Sequence, residues 1–358
     1  MSPHAIQQLT EAVQTNCHIA DAAHAADMTL CIYLLQMREF YRWEQGIAPL
    51  ASMPREQVGA WLTERETLWN TLEERPFVPL SLAGVEHDPF DVAGINAVLL
   101  PHGLVYGAGQ TAPGRASFFL GELQAVQRRE GATLYVCGRE HARGLAAPPA
   151  ALQDRVIFLR QESLRRWLWE KYEAWTLRRP AGAFQTALDA YGHAQDGSQA
   201  VERMAQAQAE TLVLHELGEA RADELLGPAW AAMRQSLNER RIDLHLRAAR
   251  DLLADCLVTL PTLLERQADA SLHFWFANFD GLRETLFPQL NQAYAAWCGG
   301  DGGAELWRAV SQGAPYWQGL CERALALYET DGPAAQAPIR TLFDVALSER
   351  KQPTAPRS

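Results

Sequence analysis

Apolar positions along this chain follow two rhythms. Up to about residue 75, and again from about 161, they recur every three or four positions, which predicts amphipathic helices. Between about 76 and 138 glycine and proline are frequent, and short apolar runs take over: INAVLL (95–100), GLVYGAG (103–109), RASFFLGEL (115–123) and ATLYVCG (132–138). These runs predict strands, with QTAPG (110–114) as a hairpin loop between two of them. Helices resume over 161–179, 181–192, 198–227, 229–259 and 272–287, punctuated by Pro180, Pro228, Pro261 and Pro288, and a last helical pair follows the CGGDGG turn at 298–303. The pattern describes a mainly α protein, a bundle-like helical domain spanning 1–350 with a small antiparallel β insert at about 95–138 and a frayed tail at 351–358.

The stretch Asn16 to Gly46 carries the least ordinary pattern. It has no glycine or proline before Gly46 and is rich in good helix formers, so it predicts one long helix fed by a short lead-in over 1–15. Steps of three and four place Asp21, His24, Met28, Cys31, Leu35 and Glu39 on one face. That face mixes ionisable with apolar side chains, which an ordinary surface helix avoids. The expectation is a central helix that turns Glu39 inward.

Composition narrows the function classes. The chain has 358 residues, 48 % of them hydrophobic, enough for a sizeable core. A net charge of -11 argues against a general nucleic-acid binder, which needs a basic footprint. No apolar run approaches the roughly eighteen residues of a membrane span. The six cysteines, at 17, 31, 137, 256, 298 and 321, form no CxxC pair. With no secretory leader pattern at the start, they read as free thiols in a reducing cytoplasm.

Candidate chemistry lies on the helices. His215 and Glu219 are one turn apart and could both reach one divalent metal, with Glu216 between them as a supporting or acid–base group. HELGE begins like the zincin motif HExxH, but Glu219 stands where the second histidine belongs, so a metalloprotease is not expected. Asp251 and Asp255 are one turn apart among leucines, and a carboxylate in such company needs a metal, a histidine or a salt bridge to a nearby arginine such as Arg247 or Arg250. His273 sits among Phe274, Trp275 and Phe276, as a ligand or a satisfied core histidine. Glu39, His215, Glu219, Asp255 and His273 come from four separate helices, the way bundles build metal centres. They suggest a metal-dependent enzyme, in its sharpest form a dimetal iron or manganese oxidase or oxygenase acting on a small molecule. The paired Glu-x-x-His signature of such bundles is absent; only Asp21 and His24 have that spacing. The competing reading is a non-catalytic helical protein that binds a partner or an anionic ligand, with the aromatics of 272–287 as its contact surface.

Two further runs are dense in charge. In REFYRWE, Arg38 and Arg42 are one turn apart and repel, so each should find an acid elsewhere or clamp an anion. EHDPFD (86–91) reads as a turn with an Asx-type hydrogen bond; an anion-binding hydrolase built on it ranks last. The Gly-x-Gly of GLVYGAG lacks the lysine and helix start of a phosphate loop.

Taken together, NCHIADAAHAADMTLCIYLLQMREFYRWEQG, HELGE, ADCLVTLP and HFWFANFDGLRETLFP resemble an uncharacterised bacterial family of mainly helical cytoplasmic proteins. The resemblance spans most of the chain. It implies one shared architecture and assigns no activity.

Overall fold

The computed structural model describes residues 1–49, 51–112 and 115–351. The chain, expected from its sequence to form one domain with an insert, divides into two compact units: 1–128 with 133–177, and 129–132 with 178–358. The architecture is mainly α, as the apolar rhythm implies.

The first unit opens with α1 (Pro3–His24), α2 (Leu30–Glu44) and α3 (Arg55–Asn70). A two-stranded antiparallel hairpin, β1 (Leu80–Leu82) and β2 (Val85–His87), leads to α4 (Val92–Leu99). Five strands follow: β3 (Leu104–Ala112), β4 (Arg115–Arg129), β5 (Ala132–Arg143), β6 (Ala150–Gln153) and β7 (Val156–Arg160). Helix α5 (Gln161–Arg178) comes after them. The sheet order is β3-β4-β5-β7-β6, with β5 parallel to β7 and the β3–β4 and β6–β7 pairs antiparallel. The sheet is therefore mixed and runs on to Arg160, beyond the insert read from the sequence. Its core gathers Val13 and Cys17 of α1, Ile95 and Leu99 of α4, and Tyr106, Phe118 and Leu120 of the sheet.

Two local expectations are overturned here. The long helix over 16–46 is two helices, separated by a 3-10 turn at Ala25–Asp27. Thr29 takes an extended backbone (φ -67, ψ 148) and stands as the N-cap residue of α2 without a side-chain cap hydrogen bond, so the break is one of backbone direction rather than of capping. Asp27 is held by Arg115 at 2.8 Å. Cys17 packs inside and donates to the Phe118 carbonyl at 3.2 Å, whereas Cys31 is exposed. INAVLL, read as a strand, lies in α4. A six-residue apolar run suits a strand or a buried helix equally, and Asp91 decides by accepting from Gly94 N at 3.0 Å. Asn96 then ties α4 to β3 through two bonds to the Tyr106 backbone, 2.8 and 2.9 Å. The EHDPFD turn forms as read, with Asp88 Oδ1 accepting from Phe90 N at 2.7 Å. In QTAPG, residues 110–112 belong to β3, while 113–114 lie outside the described residues. So does the expected tail, apart from Lys351.

The second unit is helical: α6 (Ala183–Ala190), α7 (Gly197–Leu226), α8 (Pro228–Ser236), α9 (Arg240–Ala254), α10 (Leu260–Glu265), α11 (Asp269–Phe276), α12 (Gly281–Leu286), α13 (Pro288–Cys298), α14 (Ala304–Asp331) and α15 (Gln336–Lys351). Asp196 starts α7 by accepting from Ser198 N and Gln199 N. A π-helical turn, Asp255–Thr259, joins α9 to α10 without a break, so the helix runs through Pro261 to Glu265 rather than stopping at that proline. The core assembles Leu246, Leu252 and Leu253 of α9 with Trp230, Phe287, Trp317 and Leu320. Phe274, Trp275, Phe276 and Phe279 are all buried, which removes the 272–287 aromatics as a contact surface. Among the described residues no helix is long and apolar enough to cross a membrane.

Candidate metal centre

Helices α7 and α9 approach closely because Gly218 has no side chain. A Cβ there would lie 2.5 Å from the Ala254 carbonyl oxygen, inside any real contact distance. That approach lets residues on either side of Gly218 face those flanking Ala254. His215 and Glu219 on α7 meet Asp251 on α9 and Asp255 at the head of the π turn.

One end of the imidazole is fixed. His215 Nδ1 lies 2.9 Å from Asp255 Oδ1, and the same oxygen accepts from Trp275 Nε1 at 3.2 Å. Arg283 Nη1 reaches the other oxygen at 3.3 Å. Asp255 is fully buried, so these three donors replace the water it has lost. The other end, Nε2, faces Glu219 Oε1 at 3.6 Å, and the His215 side chain keeps 23 % of its surface open to solvent. One ligand atom each from His215, Glu219 and Asp251 lies within 4.8 Å of the others, the spacing of a single metal ion's coordination sphere. Arg250 is the resident cation: it pairs with Glu219, reaches Asp223 at 3.5 Å and lies 4.0 Å from Asp251.

The electrostatics follow from that count. Burial alone would lower the His215 pKa, but Asp255 and Glu219 hold it well above the usual histidine value. Burial raises the Asp255 carboxyl, yet the His215 charge and hydrogen bond outweigh it and the pKa is lowered. Glu219 is pulled down against its burial by Arg250 and His215. Glu216, buried and with no cation paired to it among the described residues, is pushed up to about 8, first by burial and then by Glu219. Asp251 is raised to about 6 for the same two reasons. At neutral pH the cluster therefore retains protons on His215 and Glu216.

The sequence-derived set is thus partly brought together. His215, Glu219, Asp255 and Glu216 share this cluster. Asp255 orients the histidine, and Asp251 stands at the ligand position. His273 keeps other company: Nδ1 is 2.7 Å from the Tyr294 hydroxyl and the ring lies 4.7 Å from Trp297, so it is a satisfied core histidine. Glu39 belongs to the first unit, where Arg42 holds it at 3.1 Å and Arg38 at 3.8 Å. Arg38 and Arg42 both also reach Glu173, at 2.9 and 3.1 Å, the acidic partner their mutual repulsion required. Sequence reading named Arg250 as a counter-charge for this carboxylate pair, and it lies 4.0 Å from Asp251; it missed Arg283. Arg250 was legible as a near neighbour of Asp251; Arg283, 28 positions from Asp255, left no local signal.

Comparison with known proteins extends this picture without assigning an activity. No curated protein and no solved structure matches the chain. Two family models cover nearly all of it, an N-terminal domain over residues 8–160 and a C-terminal domain over 165–346 that contains the whole α7–α9 cluster. The chain belongs to that family, a family of unknown function (DUF6866).

Proposed function

We propose that the second unit holds one divalent transition-metal ion on His215, Glu219 and Asp251, and that the protein is a cytoplasmic bacterial enzyme using that ion on a small-molecule substrate. The observation that carries this reading is the pinned imidazole. Metal-binding histidines characteristically donate their second ring nitrogen to a carboxylate, which fixes the tautomer and aims the free nitrogen. Asp255 does this for His215, the aimed nitrogen faces Glu219 at 3.6 Å, and Asp251 completes a group whose ligand atoms lie within 4.8 Å of one another. One nitrogen and two oxygens suit iron or manganese, and zinc less specifically. When bound, iron or manganese supplies electron transfer and activation of oxygen; that remains the most specific form of the proposal. Three ligands make one site, so the dimetal version reduces to a single ion. Glu216, protonated at neutral pH and adjacent, would deliver or accept a proton.

A second reading is favoured by the arginines. Arg250 on Glu219 and Arg283 on Asp255 already supply two positive charges, and the cluster could be a structural ion-pair network in a non-catalytic protein.

Metal titration separates the two. Calorimetry with Mn(II), Fe(II) and Zn(II) on the full chain should give one equivalent bound; His215→Ala should abolish binding, and Asp255→Asn should weaken it by roughly 10–100-fold with the helical circular dichroism intact. Stoichiometric absence of binding for all three ions would leave the ion-pair network as the account.

A further inference from the structure

The first unit carries a site of its own. The five-stranded sheet curls until its two edge strands, β3 and β6, face each other: a Cβ on Gly109 would lie 3.5 Å from Gln153 Oε1. The space inside the curl is a cavity of about 180 Å³, lined by strands from both edges and from β4 and β7. Its walls include Phe119, Leu152 and Phe158, and its polar atoms come from Ser117, Gln153 and Arg160. Gly107 makes room for the Phe119 ring, which a Cβ there would strike at 2.2 Å.

Arg160 gives the cavity its chemistry. It is only 2 % exposed, and Glu140 holds one edge of its guanidinium, Nε at 3.0 Å and Nη2 at 2.7 Å. Glu140 is filled on that side, since it also accepts from Ser163 Oγ at 2.6 Å. Arg143 lies 3.9 Å from the same carboxylate, so two buried guanidinium groups share one anion. The remaining nitrogen of Arg160, Nη1, makes no hydrogen bond among the described residues, although the residue lines the cavity and is almost wholly buried. The Ser117 hydroxyl and the Gln153 amide, on the same lining, also have no hydrogen-bond partner there. Ser117 and Gln153 are only partly buried and Arg160 Nη1 is not sealed off, so the three polar groups stay open to the cavity they line and describe a place for a ligand that accepts hydrogen bonds.

We propose that this cavity binds a small monocarboxylate with a compact apolar or aromatic body. The carboxylate would take Nη1 of Arg160 together with the Ser117 and Gln153 side chains, and its body would lie against Phe119, Phe158 and Leu152. Size sets the upper limit: an apolar cavity of about 150 Å³ accommodates benzene, so a benzoate-sized acid is near the largest that fits. Arginine supplies the cation because its planar fork can hold Glu140 on one edge and the ligand on the other, which a lysine ammonium cannot do. The inference is independent of the metal centre.

Benzoate, benzamide and benzylamine, titrated into the full chain by calorimetry, test the claim. Benzoate should bind at least about tenfold more tightly than benzamide, the difference expected for a charge-assisted over a neutral hydrogen bond, and benzylamine should not bind. Ser117→Leu, which fills the cavity without touching the Glu140–Arg160 pair, should abolish binding; Gln153→Leu, at the seam between the edges, should weaken it about tenfold. Circular dichroism establishes that each variant is folded, and the Gln153 variant carries the test if the Ser117 variant is not. Equal affinity for benzoate and benzamide, no benzoate binding at about 10 mM, or unchanged binding by both variants would each overturn the proposal.

Discussion

Each unit buries a cluster of carboxylates and guanidinium groups, and the two clusters are balanced differently. In the first unit, Glu140 receives two nitrogens of Arg160 and the Ser163 hydroxyl, and these hold its carboxyl below the usual range although it is completely buried. Anions there are outnumbered by cations. In the second unit, Glu216, Glu219, Asp251 and Asp255 meet Arg250, Arg283 and His215, so carboxylates are in surplus. The surplus is met by retained protons, on Glu216 most of all. A cluster closed by its own arginines does not change state near neutral pH. A cluster closed by protons can exchange them for a metal ion, and the same comparison points the first unit toward anions and the second toward cations.

The comparison can be broken by substitution. The largest effect is expected at Glu140. Glu140→Gln leaves Arg160 buried against a neutral amide, and losing one partner of a buried pair costs about 3–5 kcal/mol. Chemical denaturation followed by the fluorescence of tryptophans in the first unit should show that loss; a change under about 1 kcal/mol would mean the pair is not what closes the cluster. Next comes Gly218→Ala. The added methyl meets the Ala254 carbonyl, α7 and α9 must part, and a cost of about 1–3 kcal/mol is expected, together with loss of any metal bound by the wild type. Unchanged stability and metal affinity would mean that the helices give way without disturbing the cluster.

The smallest loss of stability, and the sharpest contrast with Glu140, is expected at Glu216. Its folded pKa, about 8, lies above its unfolded value near 4.5. The stability it contributes is therefore fully present below pH 4.5 and is lost as pH rises through 8. Glu216→Gln mimics the protonated form, so it should match wild type at about pH 4.5, the lower end of the range, and become steadily the more stable of the two as pH rises to 9. Melting temperatures across that range check the divergence; a variant destabilised equally at both ends would place a charged, partnered carboxylate at 216.

What could be read from the sequence was local. The Asp88 turn, the need of Arg38 and Arg42 for outside acids, and the His215–Glu219 face all follow from spacings of four residues or fewer, and the structure places each accordingly. The departures come from terms that local spacing does not carry. The break at Thr29 comes without a side-chain cap in a stretch of good helix formers, and α4 is a short apolar run whose type only Asp91 decides. The exchange of roles between Asp251 and Asp255 depends on the partners that surround Asp255, His215, Trp275 and Arg283, which lie 20 to 40 positions away in the chain. The pairing of Glu140 with Arg160 spans 20 positions and two strands, and its only trace in the sequence is an arginine closing the apolar run VIFLR.

The π turn at Asp255–Thr259 carries one more consequence. Such a turn is one residue wider than its neighbours, in effect an insertion tolerated inside an otherwise continuous rod. Deleting a single residue there would return the turn to ordinary α geometry and leave everything downstream facing as it does now. Leu263 and Leu264 would stay in the core, and the change would be felt at Asp255 and the imidazole it steadies. Descendants of this chain can thus lose that residue without rebuilding the α10 packing, at a cost confined to the cluster beside the turn.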